Sequence, residues 1–457
     1  MPGHPTAYLH ELISGAMHHN NRISVVQGDA MGYFGSDHEL KFDARVFPEK
    51  GVPEKEVMAM LEEFGSRDVD EVSGHSIVYG TQLMNHTDAA RISKLANMMF
   101  VKKNMLYKEL MPGTERMTLE LKRMIVEMLG FPDDARVRIT SGGSESLYCA
   151  VNSAFQWCRQ ERPKIKEPEI VAPYTIHAAF SKWCHFTGIK LKRVPVGPDR
   201  RADIEAMKKA VTANTFLITG SAPCWPYGLY DDLEALASIA QERGIWMHVD
   251  ACLGGFLAPF TEKAGQRLPR WDFRIPGVRS ISADLHKYGY SCKPLSCIVY
   301  RNKEWEQYHD YAPADWPDGP YTTESILGST TAGPIASAWA VMKFLGEEGY
   351  TALARRCLEV KRRYTEGINA VEGCRAMHTD LTPMVYTVPE GMDMFAVMGG
   401  LFERKAYCLP SFQPPMIKII IDAVTDEVVD RYVGALREVI PLVRKGEITI
   451  ESIKPYM

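Results

Sequence analysis

The chain contains no run of the roughly 20 apolar residues that a membrane-spanning helix needs. It has no C-x-x-C pair and no His/Cys spacing of the zinc type, and its ten cysteines are scattered. Such cysteines read as small buried hydrophobes of a reducing compartment rather than as metal ligands or disulfide staples. Neither charge dominates: 53 Lys and Arg stand against 57 Asp and Glu, a formal net charge of -4. That balance excludes the broad basic face that nucleic acid demands, while leaving room for a few cations around one small anion. There is no G-x-x-x-x-G-K-[ST] phosphate loop, no H-E-x-x-H and no calcium loop. Gly74-His75-Ser76 lacks the second glycine of a nucleophile elbow. The opening residues MPGHPTAYLHELISGAMHHNN show neither a basic start nor an apolar core, so no signal peptide is read and a cytoplasmic location is expected.

What is present is the composition of an ordinary globular protein, 46% hydrophobic and 24% charged, in a chain of 457 residues that suits two domains with a segment left over. Residues 1–57 read as an N-terminal arm, 58–325 as a large domain and 326–457 as a small C-terminal domain. A helical pattern begins at Pro53, and another runs from Glu115 to Leu129 until Gly130 and Pro132 stop it. The methionines between Met117 and Met128 in that stretch read as core packing. Short strands then alternate with helices. Strands are expected at 137–140, 169–172, 216–220, 245–250, 279–283 and 297–301. They are apolar throughout, which predicts an α/β architecture with a parallel sheet buried on both faces. Past Ser325, a long helix (333–349) and a second (351–370) lead to fewer strands, among them MIKIIID.

The chemistry-bearing residues fall where such sheets bind ligands, outside the carboxyl ends of the strands. Asp250 ends an apolar strand; alone, it could be a cap or half of a buried ion pair. Lys287 follows His286 in the turn after the 279–283 strand, and most lysines are only solvated surface groups. Ser141-Gly142-Gly143-Ser144 leads from a strand into a helix, which makes an anion site or a plain capped turn. Together they match the needs of pyridoxal 5'-phosphate (PLP): an anion site for the phosphate, an acid beside the pyridine nitrogen and a lysine for a Schiff base. His177, opening the next helix, is placed to stack on the cofactor ring or to serve structure alone.

The runs HVDACLGGF, DFRIPGVRSISADLHKYGYSCK, TSGGSES, PEIVAPYTIHAAFSK and GSAPCWPYGLYDDLEALASIAQ resemble the sphingosine-1-phosphate lyases, from about Pro48 to Val439. The first two also set the chain apart from the glutamate and aromatic amino-acid decarboxylases of the same fold. The resemblance implies a fold type I, aspartate-aminotransferase-like PLP enzyme. Such an enzyme has a large parallel or mixed-sheet domain and a small C-terminal α+β domain, and works as a homodimer with active sites at the interface. Carried over, Lys287 matches the Schiff-base lysine and Asp250 the pyridine partner. His177 matches the stacking histidine, and Gly143, Ser144 and His286 the phosphate contacts, with Ser329 reaching in from the partner subunit. Tyr227 resembles a tyrosine implicated in bond cleavage. Lys293, Tyr79 and Asn104 match positions on the substrate side. The implied reaction is retro-aldol cleavage of a phosphorylated long-chain amino alcohol to a fatty aldehyde and phosphoethanolamine, with Tyr227 or the freed Lys287 as base.

Two departures stand out. Where the family reads Asn-Pro-Leu-His-Pro, this chain reads Asn104-Met105-Leu106-Tyr107-Lys108, so an uncharged phenol replaces the histidine on the substrate phosphate. Where it reads Gly-Ser-Arg-Pro-Gly, this chain reads Gly328-Ser329-Thr330-Thr331-Ala332-Gly333 and lacks the arginine. Each change removes a cation near an anion site. An amino-acid decarboxylase therefore stays open as the rival reading. An aminotransferase fits less well, because that class grips the α-carboxylate with a late arginine. Here the strand reads Met416-Ile417-Lys418-Ile419, and whether Lys418 stands in for that arginine or is only a solvated charge stays open. A PLP-binding regulator is the remaining reading, against which Lys287, Asp250 and Tyr227 stand together.

Overall fold

The structure is a computed structural model that describes residues 47–67, 88–313, 315–319 and 321–449. Tyr79 and most of the expected N-terminal arm lie outside those residues. Among the described residues, those from Glu63 onward form one compact unit, and those up to Glu62 group separately.

The main sheet of the larger unit has seven strands: β1 (Arg136–Thr140), β2 (Glu169–Pro173), β3 (Lys190–Val194), β4 (Thr215–Ser221), β5 (Trp246–Asp250), β6 (Val278–Ala283) and β7 (Ser296–Tyr300). They lie in the order β1-β7-β6-β5-β4-β2-β3. The β3-β2-β4-β5-β6 pairings are parallel, whereas β7 runs antiparallel to both β6 and β1. The sheet is therefore mixed rather than parallel throughout. A parallel return needs a crossover of a dozen or more residues, usually helical, and residues 284–295 between β6 and β7 contain no helix. That helix-free link carries Lys287.

Strand interiors explain why the sheet holds. Ile170, Val171, Ala172, Phe216, Leu217, Ile218, Trp246, Met247 and Val249 are all fully buried. Each fully buried aliphatic or aromatic side chain contributes roughly 1.5–3 kcal/mol, which offsets the cost of gathering charged groups at the strand ends. The expected helices form at Pro112–Met128, Gly143–Glu161, Ala179–Thr187 and Leu233–Arg243. Nine of the ten cysteines are buried, and Cys292 is partly so. No helix among the described residues is long and apolar enough to cross a membrane.

The two helices expected after Ser325 are joined into one, Gly333–Asn369, with a kink at Gly346 where φ is 55° and ψ is -173°. Glycine adopts that backbone without a Cβ clash, so the chain bends there without a loop. Beyond it lies a second, antiparallel sheet of β8 (Arg375–Ala376), β9 (Met384–Thr387), β10 (Leu409–Phe412) and β11 (Pro415–Ile419), in the order β10-β11-β9-β8. The helices Met394–Glu403 and Asp426–Arg444 complete this region.

Candidate active site

The register of the main sheet sets the site. Ser221 of β4 pairs with Asp250 of β5, and Asp250 pairs with Ser282 of β6, so three strands end side by side. The chains that leave those ends meet the turn after β1. Asp250 is 6% exposed, and its Oδ1 accepts the Cys252 N–H at 3.1 Å.

Lys287 Nζ lies 2.9 Å from Asp284 Oδ2. Burial alone would lower the pKa of this lysine, but the charges of Asp284, Cys252 and Asp250 outweigh it and hold the ammonium above its usual range. Burial likewise opposes ionisation of Asp284, and the Lys287 ammonium, the neighbouring His286 and the Ser296 hydroxyl reverse that, so the carboxyl sits below its usual range. Ser296 Oγ donates to Asp284 Oδ1 at 2.5 Å, Ser146 Oγ lies 2.8 Å from Ser296 Oγ, and Thr140 Oγ1 lies 2.6 Å from Ser146 Oγ. A hydroxyl has one proton, so with Ser296 donating to Asp284 the chain runs from Thr140 through Ser146 and Ser296 to the carboxylate. Sequence motifs alone did not single out Asp284. Its signal was there: it follows an apolar strand, as Asp250 ends one, and sits three residues before Lys287.

The glycine turn packs directly on this pair. A Cβ on Gly143 would lie 2.8 Å and 2.9 Å from the Asp284 oxygens and 3.0 Å from Cys252 Sγ, so no larger residue fits. A Cβ on Gly142 would lie 3.6 Å from Cε1 of His286. The first-turn N–H groups of Gly143 and Ser144 have no acceptor within their own helix and carry its positive end. His286 Nδ1 accepts the Leu295 N–H at 3.1 Å, so its proton is on Nε2, 3.7 Å from Asp284 Oδ2. His177 Nδ1 accepts the Ala179 N–H at 3.2 Å. Burial lowers the pKa of His177 more than Asp250 and Asp284 raise it, which leaves the ring neutral. Lysine, two carboxylates, a neutral imidazole and the glycine turn thus converge, bringing Lys287, Asp250, His177, Gly143, Ser144 and His286 together.

The other expected residues are placed differently. Asn104 Nδ2 donates to Ser329 Oγ at 3.2 Å within one chain, and Asn104 bridges to Thr331. Glu145 ties that stretch to the glycine turn by accepting the Ser141 N–H at 2.5 Å and the Ile326 N–H at 2.7 Å. Tyr107 is 52% exposed. Lys293 is exposed, though its charge reaches His286. Tyr227 is buried beside Cys224, Leu229, Val385 and Met416, with its hydroxyl donating to the Gln413 carbonyl. Burial pushes its pKa up to about 12. Lys418 corrects the expectation of a solvated charge: it is 4% exposed, with Nζ 4.3 Å from the Trp225 ring centre. The lysine alternates with apolar residues along β11, and its neighbour on the facing turn is remote in sequence.

These residues fit PLP on their chemistry. The turn suits a phosphate, the Asp250 carboxylate a pyridine N–H, the neutral His177 a ring face, and Lys287 a carbonyl carbon. Residues 75–381 match the pyridoxal-dependent decarboxylase conserved domain. The chain is 34% identical to the sphingosine-1-phosphate lyase of Arabidopsis thaliana over 426 residues, covering 91% of this chain and 77% of that protein. It is 37% identical to sphingosine-1-phosphate lyase 1 of Rattus norvegicus over 327 residues, 71% of this chain and 57% of the rat protein's length. A protein of Methanothermobacter thermautotrophicus named as a probable L-tyrosine/L-aspartate decarboxylase is 32% identical, over 68% of this chain and 84% of its own. The solved sphingosine-1-phosphate lyase of Burkholderia pseudomallei superposes with a TM-score of 0.82 at 29% identity, covering 91% of this chain and 95% of that one.

Proposed function

The chain belongs to the pyridoxal-dependent decarboxylase family, on its sphingosine-1-phosphate lyase branch and with the type I fold, and from that premise we propose that it is a PLP-dependent carbon–carbon lyase. Its substrate is a phosphorylated long-chain amino alcohol of the sphingosine 1-phosphate kind, cleaved to a fatty aldehyde and phosphoethanolamine. The observation that carries this reading is the Lys287–Asp284 pair set between Asp250, His177 and the Gly142–Ser144 turn.

Lys287 would hold the cofactor covalently, the glycine turn and His286 would hold its phosphate, Asp250 would keep the proton on its ring nitrogen, and His177 would cover its face. Bound there, PLP supplies an electron sink for the pair released when a bond to the substrate Cα breaks. As the free amine, Lys287 is a strong proton acceptor, because the Asp284 carboxylate 2.9 Å away favours its charged form. It takes the proton of the substrate hydroxyl as the Cα–Cβ bond breaks, and gives a proton back to Cα. Tyr227 was the other candidate base. With its pKa near 12 and its hydroxyl donating to Gln413, it keeps its proton at neutral pH. A positioned base of this kind contributes roughly 10²- to 10⁴-fold.

Homodimerisation belongs to the same proposal. Met98, Met99, Leu110, Leu119, Ile326 and Phe344 are each at least half exposed, apolar surface that a second copy would cover. The methanogen relative supports decarboxylation as the second reading, with the same residues acting on a Cα–carboxylate bond.

The test is to mix the PLP-loaded protein with sphingosine 1-phosphate and follow products by mass spectrometry. A long-chain aldehyde and phosphoethanolamine, both lost in Lys287→Ala, are expected. A yellow, cofactor-loaded protein that forms neither product, but releases carbon dioxide from tyrosine or aspartate, would replace the lyase reading with the decarboxylase one.

A further inference from the structure

Lys287 stands in a link without a helix, residues 284–295, so its place depends on what holds that link. The backbone bonds of Lys287 stay within its own turn. Its N–H donates to the Asp284 carbonyl at 3.2 Å, and its carbonyl accepts the Tyr290 N–H at 2.9 Å. The turn closes tightly. The Ser291 N–H reaches back to the Leu285 carbonyl at 3.2 Å, and a Cβ on Gly289 would lie 2.5 Å from that same oxygen. Internal bonds of this kind fix the shape of a turn and leave its position to outside contacts.

Two consecutive side chains supply such contacts in different directions. Lys287 reaches Asp284 beyond the end of β6, with Nζ 2.9 Å from Oδ2. Tyr288 reaches the second sheet. It is fully buried, and its hydroxyl meets Thr382 Oγ1 at 3.1 Å and the Ile421 carbonyl. Thr382 lies two residues before β9 and Ile421 two residues after β11, and the Ile421 N–H donates to the same Thr382 oxygen at 3.1 Å. A carbonyl only accepts and a phenol has one proton, so Tyr288 donates to Ile421 and Thr382 donates to Tyr288. The three residues thus close a ring of hydrogen bonds that satisfies both hydroxyls and both backbone groups of Ile421. Thr382 is 1% and Ile421 2% exposed, so bulk water does not replace a bond that is lost. Tyr350 adds a further hold, donating to the Gly289 carbonyl at 2.9 Å.

We infer that Tyr288 is a positioning residue for Lys287: through its ring with Thr382 and Ile421 it ties the cofactor lysine to the second sheet and so sets where Nζ stands against Asp284. This role deepens the proposed function and rests on Lys287 being the cofactor lysine. Burial disfavours the Lys287 ammonium, and the charges of Asp284, Cys252 and Asp250 outweigh it and hold the pKa above 10.5. A Coulomb attraction weakens with distance, so a loosened turn lowers that pKa.

The test begins with PLP-free protein. Trace acetic anhydride is reacted across a pH series, and the acetylation of Lys287 is read by peptide mass spectrometry. The wild-type midpoint should lie above 10.5. Tyr288→Phe keeps the buried ring and removes the hydroxyl. Its midpoint should fall by about one pH unit, a roughly tenfold gain in reactive amine at about pH 9, as the loss of one hydrogen bond would give. Thr382→Val opens the same ring and should shift the midpoint in the same direction, with the double variant showing less than the sum of the two. Tyr386→Phe is the comparison, because it loses a buried phenol bond, to Tyr432 at 2.8 Å, outside the Lys287 turn. Its thermal midpoint should fall while its Lys287 profile stays in place.

An unmoved profile in Tyr288→Phe, an equal shift in Tyr386→Phe, or effects of the two ring variants that simply add would overturn the inference. Faster reaction at every pH with the same midpoint means only a more open turn, and overturns it too. If Tyr288→Phe does not fold, Thr382→Val decides by the same shift. PLP is then added, and its attachment is mapped by borohydride reduction and peptide mass spectrometry. Attachment at Lys287 with an unmoved profile in the variants removes this inference alone. Attachment elsewhere, or none, overturns the Lys287 reading and this inference with it.

Discussion

Lys287 lies in the loop after β6 with an Asp284 oxygen 2.9 Å from its Nζ, while Lys418 lies in β11 with its Nζ 4.3 Å from the Trp225 ring centre and no carboxylate pair among the described residues. Burial acts on both in the same direction, against the charged form. At Lys287 the carboxylate reverses it and the pKa rises above 10.5; at Lys418 the nearby Cys224 offsets only part of it, and the pKa falls to about 8. The two lysines show that burial sets the cost and the neighbouring charge sets the sign.

Their pH signatures are opposite. Lys287 is raised in the folded state, so its stabilisation is complete below about pH 10.5 and is lost as pH rises through the folded value. Asp284 is lowered from 3.8, so its share is present above pH 3.8 and is lost as acid protonates it at the lower folded value. Lys418 is lowered, so the unfolded chain binds more protons between about pH 8 and 10.5 and stability climbs across that window.

The strongest way to break the contrast is Asp284→Asn, which gives Lys287 the unpaired state of Lys418. In the PLP-free protein, urea unfolding at pH 7 should show a loss of roughly 3–5 kcal/mol, as for other buried pairs stripped of one partner. A loss below about 1 kcal/mol would mean the pair is not the centre of the site. Next, Lys418→Met should abolish a stability gain between pH 8 and 10.5 on the order of 3 kcal/mol, read as the difference between wild-type and variant unfolding curves. An unchanged difference across that range would mean that Lys418 titrates normally. Gly143→Ala sharpens the other side. Its Cβ would lie 2.8 Å from Asp284 Oδ2 and force the carboxylate off Lys287, at a cost of about 1–3 kcal/mol together with weaker PLP retention in dialysis. The smallest effect is expected from Tyr227→Phe, which removes the hydrogen bond to Gln413 for about 1 kcal/mol. Its kcat should stay within about tenfold of wild type, and a fall of 10²–10⁴ would move the base from Lys287 to Tyr227.

Much of the main site was legible because its signals are local. An apolar run that ends in Asp250, a glycine turn opening a helix, and a lysine after another apolar run each mark a strand end, and parallel strands put such ends together. The reversal of β7 was not legible, since strand direction depends on what the connecting residues do rather than on the strand itself. Asp284 escaped because it sits beside a residue that already explained the motif. Lys418 escaped because strand alternation says which face a side chain takes, not whether that face is covered.

Local sequence was enough to determine the strand-end chemistry of Asp250, Lys287 and Gly142–Gly143, and the family that these motifs mark, because each depends on a few neighbouring residues. Packing in three dimensions decided how those groups are charged. The pairing of Asp284 with Lys287 and Ser296, the closure of Tyr227 onto Gln413, and the covering of Lys418 by Trp225 all join distant or folded-back segments. Electrostatic free energy depends on distance in space and on burial, and both exist only once the chain has packed.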